Sequence, residues 1–391
     1  MFVLTFPQRG MLLPEYYKEM AEAINKSKAS QSEIRATANR IRARLNPNPG
    51  GQMSLNVPEL DGHKLSGMQH KYRETVLFFP SGGQTCHAYC TFCFRWPQFV
   101  GIDEWKFAMR ETELLAEYLR RHVEVTDLLF TGGDPFTMSN QKVAAYVEPL
   151  LDAGLPNLQT IRFGTKAFGY WPYRFLDENS DELLRLFERI VGRGINLAIM
   201  AHFNHPVELT TGAVLRALQR VRATGAQIRT QSPILRHINA QPDLWAEMWR
   251  LQVNNNCIPY YMFVPRDTGA QHYFALSLVE AWDIFRKAYQ QVSGVCRTVR
   301  GPSMSCASGK VQVLGLSEVP SVPGGKVIVL RFLQGRNPDW VARPFFAEYD
   351  ERALWLNELK PAFGAEKFFF EDELKVMFNT GISDLTAGDF E

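Results

Sequence analysis

Cysteines are scarce in this sequence, and long hydrophobic runs are absent. Six cysteines among 391 residues do not make a disulfide framework of the kind that stabilises small secreted domains. The longest apolar runs, such as Val327 to Phe332, which Arg331 interrupts, fall far short of the roughly 20 residues needed to cross a bilayer. We therefore expect no transmembrane helix and no association with a membrane.

A strong charge of either sign is also lacking. The 43 basic residues nearly balance the 41 acidic residues, and no long run of Lys and Arg occurs. The resulting field is too weak to indicate nucleic-acid binding, so no nucleic-acid partner is expected. The amino terminus has neither a basic leader nor a small-residue cleavage site, which argues against a signal peptide and predicts a cytoplasmic protein.

The residues that are present predict a large globular core. With 46% hydrophobic and 21% charged residues, the chain is too apolar to be disordered, and its length favours one large domain with smaller pieces. The breaker-rich residues 46–51 indicate a linker after a stretch with helical patterning. The predicted parts are an N-terminal helical extension with its linker over 1–51, a barrel over 52–294 and a C-terminal segment with short strands and an aromatic tail over 295–391.

Short apolar runs alternate with longer amphipathic stretches through the middle of the chain. The predicted strands are Thr75–Phe79, Asp127–Phe130, Thr160–Phe163, Asn196–Ala201, Gln227–Thr230 and Pro259–Val264. Helical patterns lie between them, for example from Glu111 to Arg121 and from Glu182 to Val191. This α/β alternation predicts parallel βα units. Because several motifs sit at strand ends, an incomplete or complete (β/α) barrel fits better than a doubly wound sheet, with its site at the carboxyl ends of the strands.

Half of the cysteines form one motif. Cys86, Cys90 and Cys93 have the spacing C-x₃-C-x₂-C directly after the first predicted strand. Three thiolates can hold three irons of a [4Fe–4S] cluster and leave the fourth iron open for a small chelating ligand. A structural zinc site would want a fourth Cys or His nearby, and His87 lacks the usual spacing. The remaining cysteines are expected to be buried small residues, namely Cys257, Cys296 and Cys306.

The cysteine motif is the signature of radical S-adenosylmethionine enzymes, and four further motifs narrow the resemblance. They are Thr131–Asp134, Ile161–Thr165, Ala201–Pro206 and Gln231–Arg236. With these motifs in the same order, the sequence from about Tyr72 to Leu314 closely resembles lysine 2,3-aminomutase and its relatives. The resemblance implies a partial (β/α)6 TIM-like barrel of the radical S-adenosylmethionine type, with N-terminal helical and C-terminal extensions.

The resemblance also implies a chemistry. In that family a [4Fe–4S] cluster donates one electron to S-adenosylmethionine, giving a 5′-deoxyadenosyl radical that abstracts a substrate hydrogen, while pyridoxal phosphate carries the migrating nitrogen. We therefore expect an isomerase with these three cofactors, a small amino acid as substrate, and an external electron donor such as a flavodoxin or a ferredoxin. A homo-oligomer is possible, but the sequence leaves the oligomeric state open, because the family's interfacial zinc cysteines have no counterpart after Cys306.

Cofactor-binding roles follow from the same resemblance. The residues expected to bind S-adenosylmethionine or pyridoxal phosphate are Gly132, Gly133, Asp134, Arg162, His202, Asn204, Gln231 and Lys310. The glycine pair would let the backbone approach the methionine moiety, and Asp134 would accept a hydrogen bond from its amino group. His202, Asn204 and His205 could instead cap the following helix, and Arg162 and Lys166 could bind phosphate or carboxylate or face solvent.

Lys310 is the preferred candidate for the lysine that binds pyridoxal phosphate. The segment from Cys296 to Lys310 has the length of the family's stretch that ends in its Schiff-base lysine. The family's glycine run is replaced here by Ser305–Gly309, whereas a Pro-Gly-Gly-Lys sequence resembling that run ends at Lys326. Lys326 is therefore the second candidate, with the alternative that Pro-Gly-Gly only forms a hairpin turn.

Substrate recognition departs from the lysine enzyme. Arg95, two residues after Cys93, stands where the family holds the substrate carboxylate, and its planar fork suits a bidentate contact. The two aspartates that neutralise the distal ammonium in the lysine enzyme are replaced by Arg266 and Ser303. Because like charges repel strongly in a pocket of low dielectric, we predict that lysine is a poor substrate and that the distal group is a carboxylate or another acceptor. Alternatively, Arg266 faces solvent or pairs with Asp267.

The sequence is compatible with three functions. The first is 2,3-amino migration on a non-lysine amino acid, with an acidic substrate favoured. The second is a radical S-adenosylmethionine enzyme without pyridoxal phosphate, performing epimerisation, oxidation or another rearrangement. The third is a non-catalytic iron–sulfur protein for electron transfer or scaffolding, which the motifs around Asp134 and Gln231 disfavour because electron transfer alone needs no cofactor pocket.

Overall fold

An eleven-stranded sheet organises the chain in the computed structural model, which describes residues 2–26, 30–46, 56–102, 105–320 and 323–380. A small hairpin of β1 (Glu59–Leu60) and β2 (His63–Lys64) precedes this sheet. The strands of the large sheet are β3 (Met68–Tyr72), β4 (Thr75–Phe78), β5 (Asp127–Phe130), β6 (Thr160–Thr165), β7 (Asn196–His202), β8 (Gln227–Pro233), β9 (Ile258–Phe263), β10 (Arg300–Ser305), β11 (Gly309–Glu318), β12 (Lys326–Gly335) and β13 (Pro344–Glu348).

Helices connect the strands. They are α1 (Phe2–Thr5), α2 (Pro14–Asn25), α3 (Gln31–Arg44), α4 (Thr112–Arg121), α5 (Asn140–Asp152), α6 (Ala167–Tyr170), α7 (Ser180–Gly192), α8 (Gly212–Ala223), α9 (Pro242–Asn254), α10 (Gln271–Phe274), α11 (Leu278–Gln290) and α12 (Glu371–Thr380). Several long helices begin where a hydroxyl side chain accepts a hydrogen bond from the first turn, as Ser139, Thr211 and Ser277 do for α5, α8 and α11.

The sheet order confirms the predicted βα units. The strands lie side by side in chain order from β3 to β13, and β4 to β10 run parallel. Each of the six predicted strands is present, and a helix follows each before the next parallel strand. The seventh parallel strand, β10, was not predicted. Its sequence is Arg-Gly-Pro-Ser-Met-Ser, and Gly301 and Pro302 are typical strand breakers.

Side chains alternate between two faces of the parallel strands. Val76, Leu128, Ile161 and their alternate neighbours are fully buried in the main core beneath the helices. The opposite face carries Asp127 and Arg162, which are only partly buried. This period of two leaves the concave side of the sheet polar, so it can receive a ligand.

The sheet curls until distant strands approach each other. Lys71 on β3 donates a hydrogen bond from Nζ to the carbonyl oxygen of Cys306, just before β11. The Nζ atom of Lys310 on β11 lies 6.0 Å from the centre of the Tyr72 ring. These contacts bend the sheet around its polar face and confirm the partial barrel.

The C-terminal strands continue the same sheet. β11, β12 and β13 pair antiparallel and have a second core, in which the Phe332 ring packs against Trp340, Phe345 and Phe370. Because β10 lies beyond residue 294, the parallel sheet extends past the predicted barrel boundary. The domain boundaries stay predictions, and residues 47–51 of the predicted linker lie outside the described residues. Within the described part of the chain, no helix has the length and apolarity required to span a membrane.

Candidate active site

Polar loops at the carboxyl ends of the parallel strands surround the mouth of the curled sheet. The cysteine loop follows β4, Gly132 to Asp134 follow β5, and Asn204 follows β7. The predicted residues on the strands themselves, Arg162 and Gln231, lie at half-buried positions of the concave face. The structure thus gathers the predicted positions at one end and along the interior of the sheet.

The cysteine loop brings three thiols near one another. Burial raises the pKa of Cys86, Cys90 and Cys93, that of Cys93 to about 12, and neighbouring thiols raise the values for Cys86 and Cys93 further. A group of this kind becomes thiolate when a metal supplies the compensating charge. Among the described residues, no three His, Cys, Asp or Glu side chains are placed to hold a single metal ion. Three neighbouring thiolates can hold three irons of a [4Fe–4S] cluster, whereas a structural zinc site takes four ligands.

The Gly-Gly-Asp segment packs tightly against the chain that enters the cysteine loop. The Asp134 N–H donates to the carbonyl oxygen of Thr85 at 2.6 Å. A Cβ atom at Gly133 would lie 2.1 Å from that same oxygen, and one at Gly132 would lie 2.2 Å from Nε2 of Gln84. Only glycine therefore allows these two segments to touch.

The Asp134 carboxylate is already satisfied within the protein. It accepts hydrogen bonds from the Thr165 hydroxyl at 2.8 Å, the Lys166 N–H at 2.8 Å and the Phe136 N–H at 3.0 Å. Its side chain is buried, and burial raises its pKa. The carboxylate thus joins the ends of β5 and β6, and its role in binding a ligand amino group stays a prediction.

Several buried polar atoms around the cysteine loop lack a hydrogen-bond partner in the described structure. They are Gln84 Oε1, His87 Nε2, Arg95 Nη1, Gln98 Oε1, His202 Nε2 and Asn204 Oδ1. Buried polar groups in proteins normally have partners, so a cluster of exceptions needs an explanation. The concentration of such atoms at this mouth fits a site whose partners are supplied by bound cofactors.

A buried ion pair fixes the far side of the cysteine loop. Lys166 Nζ lies 2.7 Å from Oε1 of Glu208 and 4.6 Å from the centre of the Tyr170 ring. The Tyr170 hydroxyl is 3.3 Å from Sγ of Cys90. Of the two alternatives left open by the sequence for Lys166, the structure shows contact with a carboxylate, that of Glu208, and not exposure to solvent.

His202 and Asn204 lie beside this ion pair. The carbonyl oxygen of His202 accepts a hydrogen bond from Lys166 Nζ at 3.3 Å, and burial holds the pKa of its imidazole well below the usual range. Asn204 is fully buried and donates from Nδ2 to the Ser232 hydroxyl at 2.9 Å. The capping alternative applies to His205 rather than to these two, since His205 Nδ1 accepts from the Val207 N–H.

Lys310 extends from β11 into the interior of the sheet. Its Nζ lies 4.2 Å from the centre of the Tyr261 ring and donates a hydrogen bond to Oε1 of Gln334 at 3.1 Å. Burial, followed by the charges of Arg162 and Arg300, lowers the pKa of Lys310 to about 7. A lysine with such a pKa is a competent nucleophile at neutral pH. Lys326, by contrast, is exposed beside the turn that connects β11 and β12.

Arg162 has an internal partner. Its Nε lies 2.7 Å from Oδ1 of Asp127 and its Nη2 lies 2.5 Å from Oδ2, a two-point contact between neighbouring strands. Arg300 stacks near this pair, with its guanidinium carbon 4.1 Å and 4.5 Å from the ring centres of Tyr260 and Tyr261. The interior of the sheet is therefore rich in arginine.

Arg95 and Arg266 approach the same aromatic ring. Their guanidinium carbons lie 4.9 Å and 5.8 Å from the centre of the Phe94 ring. Burial and then Arg266 lower the pKa of Arg95, to about 10, against the opposing effect of Cys93. Guanidinium groups such as these two are suited to binding anionic groups.

Sequence reasoning missed several residues of this site. They are Lys71, Asp127, Tyr170, Glu208 and Arg300. A usable signal existed for Asp127, because a charged residue within a predicted parallel strand requires a partner or a ligand. Arg300 gave no such signal, because the strand that contains it was not predicted. Tyr170 and Glu208 gave no such signal, since only the folded chain brings them to Cys90 and Lys166.

Comparisons with known proteins identify relatives of the chain, although no protein-family model matches it. Over 296 residues the chain is 34% identical to a putative L-lysine 2,3-aminomutase of Aquifex aeolicus, and the match covers 75% of each chain. It is 26% identical to the L-lysine 2,3-aminomutase of Haemophilus influenzae, covering 61% of this chain and 66% of that protein. The match to the L-lysine 2,3-aminomutase of Clostridium subterminale, also at 26% identity, covers 68% of this chain and 61% of that protein. The last two matches thus span less than two thirds of the relatives' length.

Similarity to solved structures is weaker. Streptococcus suis SuiB matches with a TM-score of 0.40 and 10% identity over 73% of this chain and 60% of that chain. A radical S-adenosylmethionine methyltransferase from Sphaerobacter thermophilus matches with a TM-score of 0.38 and 13% identity over 74% and 89% of the two chains.

The parallel barrel and the cysteine loop at its mouth define a radical S-adenosylmethionine enzyme, a class that carries an iron–sulfur cluster and uses S-adenosylmethionine. Within that class, the chain belongs to the lysine 2,3-aminomutase family. The resemblance read from the sequence is confirmed. Membership favours an isomerase over the non-catalytic iron–sulfur protein.

Proposed function

We propose that this enzyme moves an amino group between carbons 2 and 3 of a small acidic amino acid. The observation that carries the proposal is the charge of the interior. Basic side chains border it on several strands and loops, namely Lys71, Arg95, Arg266, Arg300 and Lys310. The facing carboxylate Asp127 is already paired with Arg162, and Asp267 adjoins Arg266. An excess of basic side chains in a partly buried interior favours anionic ligands.

Arg95 and Arg266 would hold the two carboxylates of the substrate. Nη1 of Arg95 is buried without a partner, so it has a free donor for a carboxylate oxygen. The Arg266 guanidinium approaches the same Phe94 ring as Arg95, and the two side chains would bind opposite ends of a diacid. A lysine substrate would instead place its ammonium near Arg266, where the repulsion is poorly screened.

Lys310 is the residue proposed to hold pyridoxal phosphate, and Arg162 and Arg300 are cations whose charges act on it. Cys86, Cys90 and Cys93 would hold the cluster. When bound, the cluster and S-adenosylmethionine supply one-electron chemistry for hydrogen abstraction, and pyridoxal phosphate supplies the group that carries nitrogen. We also propose a flavodoxin or a ferredoxin as the electron donor.

Substrate preference tests this proposal directly. The reconstituted enzyme would be offered glutamate, aspartate, glutamine, arginine and lysine, and 5′-deoxyadenosine formation would be measured for each. We expect an acidic amino acid to give the highest rate. A charge-assisted contact to carboxylate contributes about 1.5–3 kcal/mol, so Arg266→Asp should weaken use of the acidic substrate by roughly one to two decades.

The matched control is Arg185→Asp, which makes the same charge change at an exposed position of α7. It should leave the preference as it is. If the wild type prefers lysine, or if Arg266→Asp and Arg185→Asp behave alike, Arg266 does not face the substrate and the acidic specificity is wrong.

A further inference from the structure

Tyr170 occupies a position that the aminomutase reaction does not explain. It ends the short helix α6 and lies beside the cysteine loop rather than in the basic interior. Its hydroxyl is 3.3 Å from Sγ of Cys90, which is within the range of a hydrogen bond to sulfur. A phenol carries a proton at neutral pH, whereas a thiolate that ligates iron has none, so the Tyr170 hydroxyl is the donor in this contact.

The surroundings hold the Tyr170 ring in place. Lys166 Nζ lies over the ring at 4.6 Å and is itself fixed by Glu208 at 2.7 Å. Glu208 also accepts hydrogen bonds from the backbone N–H groups of Asn204 at 2.5 Å and His205 at 3.1 Å. A Cβ atom at Gly169 would lie only 2.6 Å from Oε1 of Glu208, so the glycine lets the carboxylate approach α6. Lys166 and Glu208 are thus positioning residues for the ring.

We propose that Tyr170 donates a hydrogen bond to the cluster ligand Cys90 and thereby raises the reduction potential of the cluster. A hydrogen bond to a ligating sulfur stabilises the more electron-rich, reduced cluster, and such bonds are one of the factors that set the potential. The inference rests on the assignment of Cys90 as a cluster ligand, but not on the identity of the amino-acid substrate. It concerns the uptake of one electron from the external donor, before any substrate chemistry.

The test is a redox titration of the reconstituted protein, without an amino-acid substrate, followed by electron paramagnetic resonance of the reduced cluster. Tyr170→Phe removes the donor and keeps the ring. We expect a shift to more negative potential, up to about tenfold in the equilibrium constant for one-electron reduction, which corresponds to about 59 mV. Iron and sulfide per chain should stay at the wild-type level.

Tyr173→Phe is the matched control, because Tyr173 is an exposed tyrosine of the next turn. It should leave the potential unchanged. If Tyr170→Phe assembles a full cluster whose potential equals that of Tyr173→Phe, the inference is overturned.

A second variant covers the case in which Tyr170→Phe fails to assemble a cluster. Incorporation of 3-fluorotyrosine at position 170 keeps the ring and makes the phenol a stronger donor, so the potential should shift to a less negative value. An unchanged potential would overturn the inference. Cys90→Ala tests the assignment of Cys90 as a cluster ligand. A full cluster in Cys90→Ala would refute that assignment and, with it, the Tyr170 inference. If the substrate panel above shows no preference for acidic amino acids, the Tyr170 result is unaffected.

Discussion

At the scale of single residues, the environment of Lys310 explains why one lysine among many can react. The side chain leaves β11 on the polar face and meets aromatic rings and two arginines rather than a carboxylate partner. Burial lowers its pKa to about 7, and the charges of Arg162 and Arg300 act in the same direction. The amine is therefore uncharged above about pH 7 and protonated below it.

This leads to a prediction about pyridoxal phosphate. After addition of pyridoxal phosphate, borohydride reduction and peptide mapping should locate the label on Lys310, with a yield that rises as the pH increases through about 7. Lys310→Arg should abolish the label, and Lys326→Arg should retain it. A label on Lys326 would contradict the residue assignment, and an unlabelled protein would favour the enzyme that works without pyridoxal phosphate.

At the scale of elements, two loops are folded against each other at the mouth of the barrel. The cysteine spacing is local, so the sequence alone was enough to predict a cluster loop after β4. The contact of Gly133 with Thr85 is not local, because it joins the loop after β5 to the chain before Cys86. The partners of the Asp134 carboxylate within the protein, Thr165 and backbone N–H groups, are also distant in the chain, so the sequence could not show them.

Substitution at this contact should damage the cluster without unfolding the barrel. In Gly133→Ala the new methyl group would lie 2.1 Å from the Thr85 carbonyl oxygen, so one of the two loops must move. We expect the variant to lose most of its iron and sulfide while circular dichroism keeps the wild-type helix signal. Gly192→Ala at the end of α7 meets no atom within 4 Å and is the control. Normal iron content in Gly133→Ala would show that the contact does not position the cysteines.

At the scale of the whole molecule, periodicity predicted the strands but not the way in which the sheet closes. The six parallel strands were visible because apolar residues alternate or cluster over four to seven positions. β10 was missed because its glycine and proline resemble a turn. Lys71 on β3 contacts Cys306, just before β11, although the two residues are far apart in the chain. Such a contact leaves no local pattern in the sequence. The concentration of positive charge in the interior is a consequence of that curvature.

A protein with this interior should be stabilised by anions that enter it. For the chain prepared without pyridoxal phosphate, inorganic phosphate should raise Tm more than sodium chloride at equal ionic strength, because binding to the folded state alone adds about 2.7 kcal/mol at 100 times Kd. Arg300→Gln should reduce this difference, since Arg300 is one of the two arginines whose charges act on Lys310. Arg185→Gln on the outer face of α7 should preserve it. If phosphate and sodium chloride raise Tm equally, or if Arg300→Gln keeps the full difference, the interior cations do not bind phosphate. The assignment of this space to a phosphorylated cofactor would then lose its electrostatic basis.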